Sequence, residues 1–208
     1  MILAGKMLPY TGARVMAQYG LKKGLKAFGV RGAESVQAEL SQIHMRNTFT
    51  PTKMEDLTPE QRRKAIESLI FLEEKRSGDI KSRMCADGRK QREDIDREDT
   101  VSPTVMTESV LITAAIDAEE GQDVAVIDLP GAFLHADMDD LVVMVLHGEL
   151  AELMAAVAPE IYRKFITYGK DGKAILYVTL QKALYETLKA ALLFYHKLVS
   201  ELKQCGFK

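Results

Sequence analysis

The 208-residue sequence has only two cysteines, and it has no long apolar run. Cys85 and Cys205 lie far apart, match no metal-binding spacing and are too few for a disulfide framework. We therefore expect reduced, mostly buried thiols in a reducing compartment. No apolar run reaches about 18 residues, so we predict no transmembrane helix. The first nine residues are too short an apolar stretch for a signal peptide.

Several common catalytic signatures are also missing from the sequence. It has no Gly-x-Ser-x-Gly element, no Walker loop and no Rossmann fingerprint. The four histidines show no metal-ligand spacing, so we assign them no role. These absences argue against a serine hydrolase of that type, a P-loop enzyme and a dinucleotide-binding domain.

Charge is strongly segregated, although the formal net charge is only −2. Residues 98–162 contain fourteen acidic residues and no lysine or arginine, whereas residues 1–33 contain six basic residues and no acidic one. Residues 61–92 hold ten basic against five acidic residues, and residues 163–208 hold nine against three. Two readings stay open. Basic surfaces around an acidic centre suit a polyanion held near a cation, and blocks of charge also occur as solvated helix faces.

Helices and strands are predicted to intermix without a regular βαβ period, which favours an α+β fold. Thr58 to Gln61 forms a capping-box start, and we expect its helix to reach about Glu74 with Leu69 among the inward residues. The other predicted helices span residues 33–45, 105–118, 148–157, 159–168 and 187–204. The predicted strands span residues 80–85, 123–128, 141–146 and 174–179, and residues 1–31 are expected to form a weakly ordered basic arm. Gly121 is expected to end the helix over 105–118, and residues 170–173 are expected to form a hairpin turn before the last strand.

One stretch combines an apolar run with a carboxylate, namely VAVIDLPGAFLHAD at residues 124–137. A buried strand that ends in Asp128 would deliver a metal-binding carboxylate to a cleft. Asp is also common before turns, so Asp128 could simply cap the turn that follows. The nearby Asp137, Asp139 and Asp140 precede a predicted strand, and we interpret them as a solvated acidic turn.

This stretch resembles the first catalytic motif of the reverse transcriptase in copia-type (Ty1/copia) retrotransposon polyproteins. The similarity continues in KSRMCADGRKQ (81–91), SPTV (102–105) and LQKALY (180–185), in the same order. It implies the fingers and an incomplete palm of a right-hand polymerase fold. The implied organisation is an arm at 1–31, a first fingers part at 32–100, and a partial palm at 101–208 with a second fingers segment at about 137–186.

The resemblance also implies roles for particular residues. Asp128 would be a catalytic metal ligand for Mg²⁺, of which the complete enzyme uses two ions. Phe133 would lie under the sugar of the incoming nucleotide and exclude a 2′-hydroxyl, although Phe in an apolar run also suits a core. Gly131 and Ala132 would let backbone N–H groups approach the triphosphate, although a tight turn needs the same small residues.

Basic and aromatic residues complete the implied site. Lys81 and Arg83 share one face of a predicted strand, and either could contact the triphosphate; the alternative is an exposed basic hairpin without a ligand. Tyr185 would lie beside the templating base. The family has Gly after this Tyr, whereas this sequence has Glu186, which places a side chain where the backbone should approach nucleic acid.

The family's second catalytic motif, an aromatic or apolar pair followed by Asp-Asp on a hairpin, is not found in the sequence. We therefore expect an incomplete RNA-directed DNA polymerase (a nucleotidyltransferase) that is inactive alone. The alternative is a non-catalytic remnant or nucleic-acid-binding module. Implied partners are an RNA or DNA template-primer, deoxynucleoside triphosphates and the rest of the polyprotein, but no membrane. The implied location is intracellular, in a cytoplasmic particle or the nucleus.

Overall fold

The computed structural model describes residues 17–93 and 95–207. The strands are β1 (Tyr19–Gly20), β2 (Phe49–Thr52), β3 (Ile66–Glu74), β4 (Ile80–Ala86), β5 (Val143–His147), β6 (Thr167–Tyr168) and β7 (Ala174–Leu180). The helices are α1 (Leu21–Met45), α2 (Pro59–Lys64), α3 (Thr107–Glu120), α4 (Glu149–Val157), α5 (Pro159–Tyr162) and α6 (Ala190–Gln204). The expected mixture of helices and strands is therefore confirmed.

The strands belong to a single mixed sheet with the order β1-β3-β5-β7-β2, in which β4 pairs with β3 and β6 pairs with β7. β3 and β5 run parallel, and the other pairs are antiparallel. Helices α1 and α4 contact each other and bury apolar residues against this sheet. The right-hand polymerase arrangement and the domain boundaries stay predictions.

The most deeply buried side chains include Leu40, Leu72, Met84, Met144, Leu146, Met154 and Leu176.

The first helix is longer than predicted. Residues 21–31, expected to belong to a weakly ordered arm, form its first turns, and residues 1–16 of that arm lie outside the described residues. Gly29 interrupts the helix with φ 56°. Gly24 is needed for packing, because a Cβ there would lie 2.9 Å from side-chain carbons of Leu72. Because Gly24 has no side chain, the helix can pack closely against β3. The stabilisation from this packing outweighs the low helix propensity of glycine.

The capping box at Thr58 is confirmed. The Thr58 side chain accepts the Gln61 N–H, and the Gln61 side chain accepts the Thr58 N–H. The predicted extent of this helix is wrong, because it ends at Lys64 and residues 66–74 form β3. β3 pairs with β4 from Ser68 to Glu74, and these non-local hydrogen bonds override the helical periodicity. Leu69, predicted to face inward, is 38% exposed.

Most of the remaining predicted elements are present, with shifted ends. β4, β5, β7, α3, α4 and α6 are confirmed, and Gly121 ends α3 in the left-handed region with φ 68° as expected. The helix predicted over 159–168 stops at Tyr162, because Thr167 and Tyr168 pair with β7 as β6. Cys85 is buried as expected, whereas Cys205 is exposed.

The predicted buried strand at residues 123–128 is wrong. These residues have no regular secondary structure, and none of the described strands pairs with them. Val126 is 95% exposed and Ile127 is 79% exposed. The preceding helix α3, which lies wholly within the described residues, also buries no residue. An apolar run becomes a buried strand only where another strand and a second layer are available to cover it, and in the described residues neither lies against this segment.

Candidate nucleotide-binding site

The β3–β4 hairpin brings together the two residues that were predicted to contact the triphosphate. Lys81 lies opposite Glu73, and Arg83 lies opposite Phe71. Because side chains two residues apart share a face of a strand, both cations point the same way, and both are exposed. The intervening Ser82 is buried on the opposite face. Strand alternation thus separates a basic face from a core face within three residues.

The end of this hairpin is tied to the segment that follows β7. The Ala86 N–H donates to the Tyr185 carbonyl at 2.9 Å, and the Leu188 N–H donates to the Gln91 Oε1 at 3.1 Å. A Cβ on Gly88 would lie 2.4 Å from the backbone oxygen of Glu186, so only glycine fits there without a shift. Two stretches that are distant in sequence are therefore held side by side.

A tight turn follows Asp128. Gly131 adopts the left-handed conformation with φ 66°, and its carbonyl accepts the Leu134 N–H at 2.9 Å. The Arg46 guanidinium donates to the Pro130 carbonyl at 3.3 Å and lies 3.0 Å from the His135 ring nitrogen. The end of α1 therefore holds this turn in place. Gly131 has a positive φ, which is the conformation that glycine adopts without strain.

Six of the seven predicted site residues line one cavity of about 450 Å³. They come from three separate parts of the chain: Lys81, Arg83, Asp128, Gly131, Ala132 and Tyr185. Asp128 reaches this cavity from an exposed, irregular segment rather than from the end of a buried strand. Two cations, one carboxylate and a small-residue turn thus surround the same space. Their roles toward a ligand stay predictions.

Phe133, the seventh predicted residue, is not part of the cavity lining. Its ring packs against Tyr185 at a centroid distance of 5.2 Å and against Phe194 at 6.1 Å. The Arg83 guanidinium carbon lies 5.1 Å from the centre of the Tyr185 ring. The aromatic residues therefore form a support behind the basic residues, and cation–π attraction helps to position Arg83.

The contribution of α1 to this cavity was not predicted from the sequence. Glu39 and Gln42 from α1 line it, together with Lys75 from the end of β3. Glu39 Oε1 accepts the Met84 N–H at 2.8 Å. Burial raises the pKa of the Glu39 carboxyl above its usual value, against the opposing effects of Met84, Lys81 and Arg83. An acidic residue on a helix far upstream carries no local signal of this placement.

Other charged residues near the hairpin have partners within the chain. Arg89 Nε donates to the Asp87 carboxylate at 2.8 Å, and this contact lowers the pKa of Asp87 to about 2. The Lys90 ammonium donates to the Ala65 carbonyl at 2.8 Å. These two cations are therefore engaged by oxygen atoms of the protein, whereas Lys81 and Arg83 line the cavity.

The acidic turn around Met138 is not a metal cluster. Asp137 pairs with Lys182, and Asp139 and Asp140 both pair with Lys189. Within residues 17–93 and 95–207, no group of three or more His, Cys, Asp or Glu residues could hold a metal ion. Among the described residues that line the cavity, the one carboxylate beside Asp128 is that of Glu39, whose Oε1 already accepts an N–H group. The described side chains therefore do not fit a two-ion site.

Glu186 occupies a strained backbone position. Its φ is 68°, in the left-handed region that costs an L-residue other than Gly roughly 1–2 kcal/mol. We expect Glu186→Gly to stabilise the chain by about 0.5–1 kcal/mol, since the greater freedom of glycine in the unfolded chain offsets part of the gain. Urea unfolding measures the change. Glu186→Ala is the matched control, because it removes the carboxylate and keeps the Cβ; an equal gain from alanine would contradict this account.

Comparison with known proteins gives the class of this chain. The profile of the family described as reverse transcriptase (RNA-dependent DNA polymerase) matches residues 56–208. The match covers the β3–β4 hairpin, the turn after Asp128 and Tyr185. The chain belongs to this reverse transcriptase family. No solved structure matches it. None of the helices in the described part of the chain is both long and apolar enough to cross a membrane.

Proposed function

We propose that the cavity lined by Lys81, Arg83 and Asp128 is the nucleotide-binding site of a copia-type reverse transcriptase. The observation that carries this proposal is the convergence of three distant segments on one cavity. Lys81 and Arg83 bind the triphosphate of a deoxynucleotide through charge-assisted hydrogen bonds. The backbone at Gly131 and Ala132 approaches the same phosphates, and Tyr185 contacts the templating base.

Phe133 has a supporting place in this proposal. Its contact with Tyr185 puts it next to the cavity wall, where it would lie under the sugar of the incoming nucleotide. Asp128 would hold Mg²⁺, which supplies stabilisation of phosphate charge when bound. Because the described carboxylates do not fit two ions, we propose that the chain alone is inactive. The remaining parts of the polyprotein are the proposed partners, and the location is proposed to be intracellular.

A second candidate function is nucleic-acid binding without turnover. The observation that favours it is Glu186, whose side chain replaces the glycine of the family's Leu-Tyr-Gly beside Tyr185. A side chain at that position blocks the close approach of the backbone to a templating base, which counts against turnover, whereas the exposed Lys81 and Arg83 can still attract the phosphates of a nucleic acid. Both candidates use the basic face of the hairpin, and they differ in whether a deoxynucleotide binds there.

Nucleotide binding tests the proposal directly. We would titrate a fluorescent deoxynucleoside triphosphate into the chain with and without template-primer. Substituting both Lys81 and Arg83 with glutamine should weaken binding at least tenfold, because two charge-assisted contacts are lost. The matched control is the pair Lys22 and Lys23, which are exposed on α1 away from the cavity lining. Equal weakening by both pairs, or no binding at all, would reject the nucleotide site.

Salt dependence separates the cations that contact a polyanion from those with partners in the chain. Each neutralised phosphate contributes a slope of roughly −0.7 to −0.9 in log K against log salt. If template-primer lies on this basic face, as in the second candidate, the Lys81 and Arg83 double substitution is expected to reduce the magnitude of the slope for template-primer by about 1.4–1.8. Substituting Arg89 and Lys90 should change it much less, because Asp87 and the Ala65 carbonyl already engage them. Equal changes from both pairs would contradict this assignment.

A further inference from the structure

The outer edge of β4 is held by contacts from outside the sheet. β4 pairs with β3 on one side, and no other described strand pairs with it. Two of its backbone amides donate elsewhere: Ala86 to the Tyr185 carbonyl and Met84 to the Glu39 carboxylate. An edge strand without such partners exposes unsatisfied N–H groups and is free to shift. Glu39 therefore accepts a hydrogen bond from a backbone N–H group of β4, as a carbonyl of a neighbouring strand would.

This anchor is on the backbone next to the residues that face the cavity. Met84 follows Arg83 directly, and Lys81 is three residues before it. Glu39 itself lines the same cavity as both cations, and Lys81 and Arg83 attract its carboxylate. Burial favours the neutral acid of Glu39, whereas the Met84 N–H and the two cations favour the charged form. A single side chain on α1 is thus connected to the strand and to its basic face.

We infer that Glu39 is a positioning residue of the anion site: by accepting the Met84 N–H it fixes the edge of β4 and so directs Lys81 and Arg83 toward the cavity. This inference rests on the proposed function. It concerns the hydrogen bond rather than the charge, because a negative charge beside two cations opposes the binding of an anion. The two contributions have opposite signs, so substitutions can separate them.

Three substitutions of Glu39 separate the effect of its hydrogen bond from the effect of its charge. Glu39→Gln keeps an oxygen acceptor for the Met84 N–H and removes the charge. Glu39→Asp keeps the charge and is one methylene too short to accept at the same backbone position. Glu39→Ala removes both. Glu34→Ala is the matched control, since Glu34 is an exposed glutamate on the same helix.

The experiment measures binding of inorganic tripolyphosphate to the full chain by calorimetry, without a divalent cation and well below the unfolding temperature. We expect Glu39→Ala and Glu39→Asp to weaken binding roughly three- to tenfold. Glu39→Gln should bind as tightly as the unsubstituted chain or more tightly. Glu34→Ala should change nothing. If Glu39→Ala does not fold, Glu39→Asp provides the same comparison with Glu39→Gln.

Hydrogen exchange at the Met84 amide supplies a second measurement. Exchange should be faster in Glu39→Ala and Glu39→Asp, and close to unchanged in Glu39→Gln. Equal affinities in all variants would show that Glu39 contributes to stability alone. Tighter binding by Glu39→Ala would show that its main effect is a negative charge that opposes anion binding. Either result overturns the inference. Equal weakening in Glu39→Gln and Glu39→Ala overturns it too, because it assigns the effect to the charge. If the unsubstituted chain binds no tripolyphosphate, the proposed nucleotide site fails as well.

Discussion

A primer-extension reaction with the purified 208-residue chain, Mg²⁺, template-primer and deoxynucleotides is expected to give no product above background. Phosphoryl transfer of this kind requires two divalent cations roughly 3.5–4 Å apart, clamped by carboxylates. The cavity offers Asp128 and the already bonded Glu39. Removing even one preorganised charge-stabilising group typically costs about 10²–10³ in rate. The shortfall of carboxylates should therefore abolish measurable synthesis.

The Asp128→Asn variant is the control for this expectation. In an inactive chain it should be indistinguishable from the unsubstituted protein in primer extension. It should also leave the unfolding midpoint nearly unchanged, because Asp128 lies in an exposed, irregular segment. Template-dependent incorporation that is lost in Asp128→Asn would contradict the expectation and would show that the site is catalytically complete.

Self-association is the second large effect that the structure predicts. The segment around Val126 and Ile127 exposes apolar side chains, and the preceding helix α3 adds Val110, Leu111, Ile112 and Ile116. An unpaired apolar segment beside an apolar helix favours contact with another chain. Replacing Val126 and Ile127 together with lysine should weaken association by at least about a hundredfold, given roughly 1.5–3 kcal/mol for each fully buried aliphatic side chain.

Sedimentation velocity over a range of protein concentrations measures this change. Val30 and Met45, which are exposed on α1, provide the matched control pair for substitution with lysine and should leave association unaltered. Neither pair should alter the free energy of unfolding by more than about 0.5 kcal/mol, because all four side chains are exposed. A chain that stays monomeric at every concentration would show that residues 124–127 are not an association surface.

Elements with local chemical signals were predictable from the sequence. The capping box at Thr58 closes within four residues, so its hydrogen bonds depend on no distant partner. The turn at residues 170–173 and the end of α3 at Gly121 are similarly local, since glycine meets the required positive φ in both. Alternation along Ile80–Ala86 was enough to place Lys81 and Arg83 on one face.

The sequence was enough to name residues of the candidate site, but not the tertiary contacts that hold them in position. The family resemblance named six residues that line the cavity, because short motifs keep the chemistry of a site together. It did not reveal Glu39, whose role depends on α1 crossing the edge of β4. It also did not reveal that Phe133 lies behind the lining, which depends on the position of Phe194 in α6.

The sequence by itself determined the local turns, caps and alternating faces, because their hydrogen bonds and steric limits involve residues within a few positions of one another. Tertiary structure alone decided between helix and strand at Ile66–Glu74, where pairing with β4 outweighed helical periodicity. It also decided that Gly24 belongs to a helix, because close contact with Leu72 requires a residue without a side chain. At residues 123–128 the apolar pattern is the same whether or not a partner strand is present, so burial depends on that partner and not on the pattern.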